Sequence, residues 1–335
     1  MIGPDDSHPR VEYHPGMNNQ AGNMHTSNWS GRAADWLLYP VLILTSLGGV
    51  AHGLQAGYAP GLVLFVQSVA SIVVIATLEV LRPLRADWAL FSDRTLFGDL
   101  IHNLMGQILA GNLGRALLAA TIALVAAYIA GGADERFALW PESLPFVIGF
   151  GAFLLYMELA SYWWHRALHV VPLLWRFHYI HHNPRRMHVM KSGRTHWGSG
   201  IIGTMLKYAL PVATGAPGEF FLWYAACTNI FGTLSHANLG FRVPAFVHYV
   251  VNTAAVHHLH HSTRMDQGNS NFGNIISLWD VIFGTFRHPD TNELEAVGVK
   301  VPVLGESLAA ELIEPVLPPR WTRDRKEHTA VASGN

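Results

Sequence analysis

Charge is what this 335-residue chain has least of: Asp, Glu, Lys and Arg together make only 13% of it, about half the ~25% usual in a soluble domain. What charge there is nearly cancels, at −1 net, so no nucleic-acid partner is expected. Cysteine is scarcer still. Cys227 stands alone within FFLWYAACTNIFG, which excludes an intrachain disulfide, a cysteine-built zinc site and an iron–sulfur cluster. There is no G-x-G-x-x-G fingerprint either, and so no visible dinucleotide unit for delivering electrons. Residues 1–33 are polar and rich in Asn, Gly, Pro and His. They lack the charged start and apolar run of a cleaved signal peptide and read as a disordered tail.

Apolar residues and histidine fill the gap. Half of the chain is hydrophobic, mean hydropathy is +0.22, and there are 20 histidines. Together these point to a membrane protein that binds metal. Four apolar stretches, roughly 36–50, 60–78, 104–129 and 145–164, approach or exceed the ~20 residues of a spanning helix. Arg115 and Glu158 are the charges inside them that need an explanation.

Loop charges set an orientation. Residues 52–59 carry no Lys or Arg, the next loop has Arg82, Arg85 and Arg94, and the one after has Arg136 beside Asp134 and Glu135. Beyond the fourth stretch come Arg166, Arg176, Arg185, Arg186, Lys191 and Arg194. This alternation places both termini and everything after the fourth span in the cytoplasm. A further apolar region, 198–235, is broken by PVATGAPGE and reads as a hairpin that enters the bilayer and returns. The expected fold is therefore all-α: a multi-pass bundle of about four spans plus a hairpin, with a cytoplasmic helical cap. The expected divisions are a tail at 1–33, spans one to three at 34–144, a catalytic unit at 145–290 and a C-terminal tail at 291–335.

The histidines recur at helical spacing. His165 and His169 are four apart in HRALH; His178, His181 and His182 stand at i, i+3 and i+4; His257, His260 and His261 repeat that pattern; His236 lies between. Residues three and four apart share a helix face. Clustered imidazolium rings repel, and clustered neutral rings gain little without a cation. One ion takes four to six ligands, so nine imidazoles suggest two ions. His258 points off the face of His257 and His261, and His196 in GRTHWG reads equally as a ligand or as a partner of one. These two are additional metal candidates outside the nine.

At HRALH (165–169), HYIHH (178–182), SHANLG (235–240), HHLHHS (257–262) and NFGNIISLWDVIFGTF (271–286) the chain resembles the fatty acid hydroxylase/sterol desaturase family of membrane di-iron enzymes. The resemblance covers roughly 145–290. The chain departs from the pattern in the basic run NPRRMHVMKSGRTHW and in the extra His258. The resemblance implies two irons held among the histidine boxes, with zinc as a possible substitute. It also implies O2 as co-substrate, a lipid substrate, and electrons from an external donor of cytochrome b5 or ferredoxin type with its reductase. Hydroxylation of an acyl lipid, sterol or carotenoid is the expected reaction, with desaturation as the alternative. Glu158, seven residues before His165 on the same face, is expected to orient a ligand, the alternative being a pairing with Arg115. Asn238, Asn271 and Asp280 are further orienting candidates.

Two other classes compete. A haem protein has no use for H-x-x-H-H twice at a membrane rim. A metal transporter needs ionisable residues along a path through the midplane, where these spans are nearly bare. The C-terminal VASGN carries no KDEL signal, which favours a bacterial inner membrane over the endoplasmic reticulum.

Overall fold

The computed structural model describes residues 33–106, 112–129, 140–141, 143–300 and 307–317. The expected N-terminal tail, residues 130–139 and the end of the expected C-terminal tail lie outside the described residues. Among the described residues there is no strand, only three isolated bridges, Pro83–Leu239, Val251–Ile276 and Ser262–Val297. The chain is a helical bundle, with a cap built from short helices and turns.

Three described helices are long and apolar enough to cross a membrane: α1 (Ala33–Gln55), α2 (Pro60–Leu81) and α5 (Phe146–Val170). Their large side chains face outward, with Leu44 70%, Phe65 66% and Val147 80% exposed, as lipid-facing helices require. The inward strip of α2 runs Val63, Gln67, Ser71, Ile75 and Glu79 at four-residue spacing. Its polar members find internal partners. Gln67 donates to Ser46 Oγ and Ala226 O, and Glu79 Oε1 accepts from Val189 N and Asn238 N, each at 2.8 Å. Glu79 thus fastens the end of α2 to the cap. A cavity of about 420 Å³ lies between α1 and α2, lined by Ser46, Gly49, Gln67 and Ile75 among others.

Of the stretch 104–129, expected as one span, Leu104 and Met105 end α3 (Leu96–Met105), α4 covers Gly114–Ile129, and residues 107–111 between them lie outside the described residues. Asp99 and His102 of α3 face inward, which hydropathy alone does not reveal.

The expected hairpin is α7 (Trp197–Ala213) and α8 (Gly218–His236), turned at Gly215, whose φ is +78°. Helix α7 packs on α4 and α5, and α8 packs on α2. Close approach of α5 and α7 depends on Gly203, where a Cβ would lie 2.5 Å from Trp164 Nε1. The cap is formed by α6 (Pro172–His182), a 3-10 turn at Val189–Gly193, α9 (Val247–Val250), α10 (Ala254–His260), α11 (Met265–Gly268), α12 (Leu278–Ile282) and α13 (Leu308–Ile313). Val297 and Glu311, in the stretch assigned above to a C-terminal tail, are each 3% exposed and pack into this cap.

Candidate metal centre

Helix α5 runs without a break out of the apolar span and through HRALH, so His165 and His169 stand on a spanning helix. Pro172 sits at the first position of α6, where its missing N–H costs nothing. That turn brings His178, His181 and His182 back over His165 and His169. The end of α8 supplies His236, and α10 supplies His257 and His260, with His261 as its cap.

These nine imidazoles form two groups. His165, His169, His178, His182 and His260 make one; His181, His236, His257 and His261 make the other. Within each group the ligand nitrogens lie within 4.8 Å of one another. The pairs at i and i+4 (His165/His169, His178/His182, His257/His261) stay together, whereas adjacent residues are dealt between the groups: His181 and His182 part company, as do His260 and His261.

Backbone carbonyls fix the rings. The Nδ1–H of His165 donates to Phe272 O at 2.8 Å and that of His260 to Ser270 O at 2.7 Å. His236 Nδ1–H donates to Gly232 O at 2.8 Å, and His181 Nδ1–H to Arg194 O at 3.3 Å. A neutral ring that donates from Nδ1 keeps a lone pair on Nε2. His181 Nε2 and His236 Nε2 are nonetheless only 3.3 Å apart, with His257 Nε2 3.0 Å from His236 Nε2. In the other group His165 Nε2 lies 2.9 Å from His178 Nε2, and the buried Nε2 atoms of His169 and His260 have no hydrogen-bond partner. Burial, reinforced by the neighbouring rings, pushes the pKa of His178, His181, His182, His257, His260 and His261 well below that of free histidine. Lone pairs that converge on one point, in rings that resist protonation, suit a bound cation. All-imidazole sets suit iron and also accept zinc.

His196 and His258 stand outside both groups. His196 caps α7, its Nδ1 accepting from Gly198 N at 2.9 Å and its Nε2–H donating to Leu312 O at 3.1 Å. His258 packs edge-on against Trp88 at 5.3 Å, and burial pushes its pKa down to about 3.

None of the four orienting candidates touches an imidazole; each holds backbone. Glu158, fully buried, accepts from Tyr224 Oη at 2.8 Å and from Ile275 N at 2.6 Å and Ile276 N at 3.2 Å. Arg115 donates instead to Asn112 Oδ1. Asp280 accepts from Phe272 N and Gly273 N at 2.8 and 2.7 Å, and from Thr285 Oγ1 at 2.7 Å. Asn271 has φ +55°, a conformation asparagine tolerates, and joins Val256 O to the backbone of Arg287. The 270–276 segment that offers carbonyls to His165 and His260 is thus pinned by three buried side chains. Asn238 holds both backbone groups of Arg85.

A second buried polar cluster adjoins the first. Lys191 Nζ sits 2.7 Å from Asp93 Oδ2, 2.6 Å from Asp99 Oδ2 and 2.7 Å from Thr95 Oγ1. Arg194 joins Asp99 to Glu311, and Glu311 reaches His102 at 3.1 Å. His188 lies 3.0 Å from Asp93 Oδ2. Asp93, Asp99 and His188 have metal-ligand spacing, but the Lys191 ammonium already supplies the cation. The network was not legible in the sequence, although its basic members lie in the run that departs from the resemblance. The two lie side by side at Arg194, whose backbone carbonyl accepts from His181 while its side chain belongs to the network.

Comparison with known proteins gives one consistent picture. The fatty acid hydroxylase family model matches residues 150–285. The chain is 30% identical to the ornithine lipid hydroxylase OlsE of Rhizobium tropici over 293 residues, 84% of each protein. It is 29% identical to lathosterol oxidase of Mus musculus over 142 residues, 42% of this chain and 46% of that protein. It is 26% identical to human alkylglycerol monooxygenase over 151 residues, 44% of this chain and 32% of that protein. No solved structure matches.

Proposed function

The chain belongs to the fatty acid hydroxylase family, and on that premise we propose that it hydroxylates an unactivated C–H bond of a membrane lipid with O2 at a di-iron centre held by the nine histidines. It is a lipid oxidoreductase of that family in a membrane. The observation that carries the metal reading is the paired grouping of five and four imidazoles with lone pairs converging. In this reading His165, His169, His178, His182 and His260 hold one ion, and His181, His236, His257 and His261 the other. Bound iron supplies the redox chemistry that breaking an aliphatic C–H bond needs and side chains lack.

The protein's own part is positional. The carbonyls of Gly232, Arg194, Ser270 and Phe272 hold their rings with Nε2 inward, which sets ligand direction and raises ligand basicity. Glu158, Asn271 and Asp280 keep the 270–276 segment in place, and Asn238 keeps the Arg85 loop beside His236. His196 and His258 support packing in this reading rather than ligation. Burial of seven of the nine histidines, with His165 and His169 half-buried, limits bulk water at the centre.

A cytoplasmic placement of the cap and both termini is our reading of the charge alternation of the loops. Electrons come from a separate donor protein of cytochrome b5 or ferredoxin type. The substrate class we favour is an acyl lipid with an amino-acid headgroup, because similarity to the ornithine lipid hydroxylase extends over 84% of the chain. Desaturation is the second reading, on the similarity to lathosterol oxidase. Lipid mass spectrometry of cells with and without the gene decides: a gain of one oxygen supports hydroxylation, a loss of two hydrogens supports desaturation, and an unchanged lipid profile overturns both.

A further inference from the structure

Helix α12 is amphipathic the wrong way round for a helix in water. Leu278, Val281 and Ile282 share a face and are 37%, 41% and 56% exposed, while Asp280, on the other side, is 1% exposed. A soluble cap would bury the first three and expose the acid. The same surface continues. Ser277 N donates to Val250 O, tying α12 to α9, where Phe246, Tyr249 and Val250 are also exposed. On the other flank Phe283 packs on Trp163 of α5 at 5.1 Å, and Arg166 lies over the outer Trp163 ring. Trp163 belongs to a spanning helix, so the apolar face is continuous with a surface that already meets lipid. Tyr and Trp beside an arginine at the end of a span is the arrangement of the headgroup boundary.

We propose that the face formed by Phe246, Tyr249, Val250, Val281, Ile282 and Phe283 lies in the bilayer interface, so that this side of the cap is seated in lipid rather than standing in water. The occupant is the bilayer itself. A soluble partner would have to cover an apolar face whose edge, at Trp163, belongs to the membrane. Exposed apolar surface on this scale marks an interaction site, and short in-plane helices with an apolar face bury it at this depth.

The seat connects directly to the histidines. Asp280, on the inward side of α12, accepts from Phe272 N and Gly273 N, and Phe272 O accepts from His165 Nδ1. One short hydrogen-bonded link therefore joins the lipid-facing helix to a ring of the five-imidazole group. A lipid beside α12 and Trp163 is next to the site without leaving the bilayer.

The test needs no bound metal. With Cys227, the sole native cysteine, replaced by alanine, a nitroxide is attached in turn to Phe246→Cys, Ile282→Cys and Asp266→Cys in lipid nanodiscs. Asp266, with a side chain 60% exposed on α11, reports the aqueous side of the cap. The expected result is an oxygen-to-nickel-chelate accessibility ratio several-fold higher at 246 and 282 than at 266. Equal ratios at all three positions would overturn the proposal and make the face a docking surface in water. Low access to both reagents, with dipolar broadening between labels, would overturn it in favour of contact between two copies.

Discussion

Two buried polar clusters sit side by side in the cap, and they solve the same problem in opposite ways. The Asp93–Lys191–Asp99–Arg194–Glu311 chain brings its own cations, and each acid meets one within hydrogen-bonding distance. Among the nine imidazoles, His165, His181, His236 and His260 donate from Nδ1 to backbone carbonyls and so turn Nε2 lone pairs inward, and Nε2 of His169 and His260 has no hydrogen-bond partner. The first cluster is complete as a structure. The second has the donor set for a cation that, on the function proposed above, it would hold, and that separates a fastening from a site.

The comparison breaks most readily at the histidines. Replacing His181 or His260 with alanine is expected to abolish lipid oxidation and lower bound iron, measured by elemental analysis of purified protein, with membrane insertion intact. Full activity in either variant would sink the ligand assignment. The next largest effect belongs to Lys191→Met, which leaves Asp93 and Asp99 facing each other; losing one partner of a buried pair costs about 3–5 kcal/mol. A chelator is expected to lower the melting temperature of the wild type while leaving the gap between it and Lys191→Met unchanged. A chelator effect on that gap would mean that the two clusters are not independent.

A smaller effect is expected from Gly273→Ala. Its Cβ would collide with Ile276 O, a backbone atom that cannot swing aside. Crowding of this kind costs about 1–3 kcal/mol, and because the segment orients His165, iron content should fall with stability. At Gly203, outside that segment, a Cβ would meet Trp164 Nε1; if Gly203→Ala lowers stability and spares iron, the orienting role of 270–276 stands.

The smallest effect is on pH dependence. Burial alone would raise the Asp93 pKa, but His188 and Lys191 outweigh it and hold the carboxyl below its ordinary range. A depressed folded value means stability present above the unfolded pKa of about 3.9 and lost as pH falls through the folded one. The difference in melting temperature between wild type and Asp93→Asn should therefore hold from neutrality to about pH 4 and narrow only below it. Narrowing near pH 6 would put the titration on another group.

The sequence made the two clusters unequally legible. His178, His181 and His182 declare themselves because ligands on one helix recur at i, i+3 and i+4, a local pattern. The ion chain has no such signature: Lys191 meets Asp99 across 92 positions and Arg194 meets Glu311 across 117. His196 was ambiguous because its capping role depends on where α7 begins, and the apolar run that follows hides that boundary. The spacing offers Glu158 a ring of His165, whereas the bonds it makes are to Tyr224 and to backbone. Its targets are amides of a segment 117 and 118 residues away, and backbone amides leave no trace in a side-chain pattern.

One feature of α5 has a regiochemical consequence. His165 is the twentieth residue of a helix that starts at Phe146, so about 28 Å of rigid rod separates the ring from the far end of the span. That is close to the ~30 Å thickness of the hydrocarbon core, and it sets the height of the reactive site against the membrane itself. A lipid floats with its headgroup at a fixed depth, whatever the length of its tail. On the function proposed above, the carbon it presents would be counted from the headgroup, not from the terminal methyl, with α5 as the ruler.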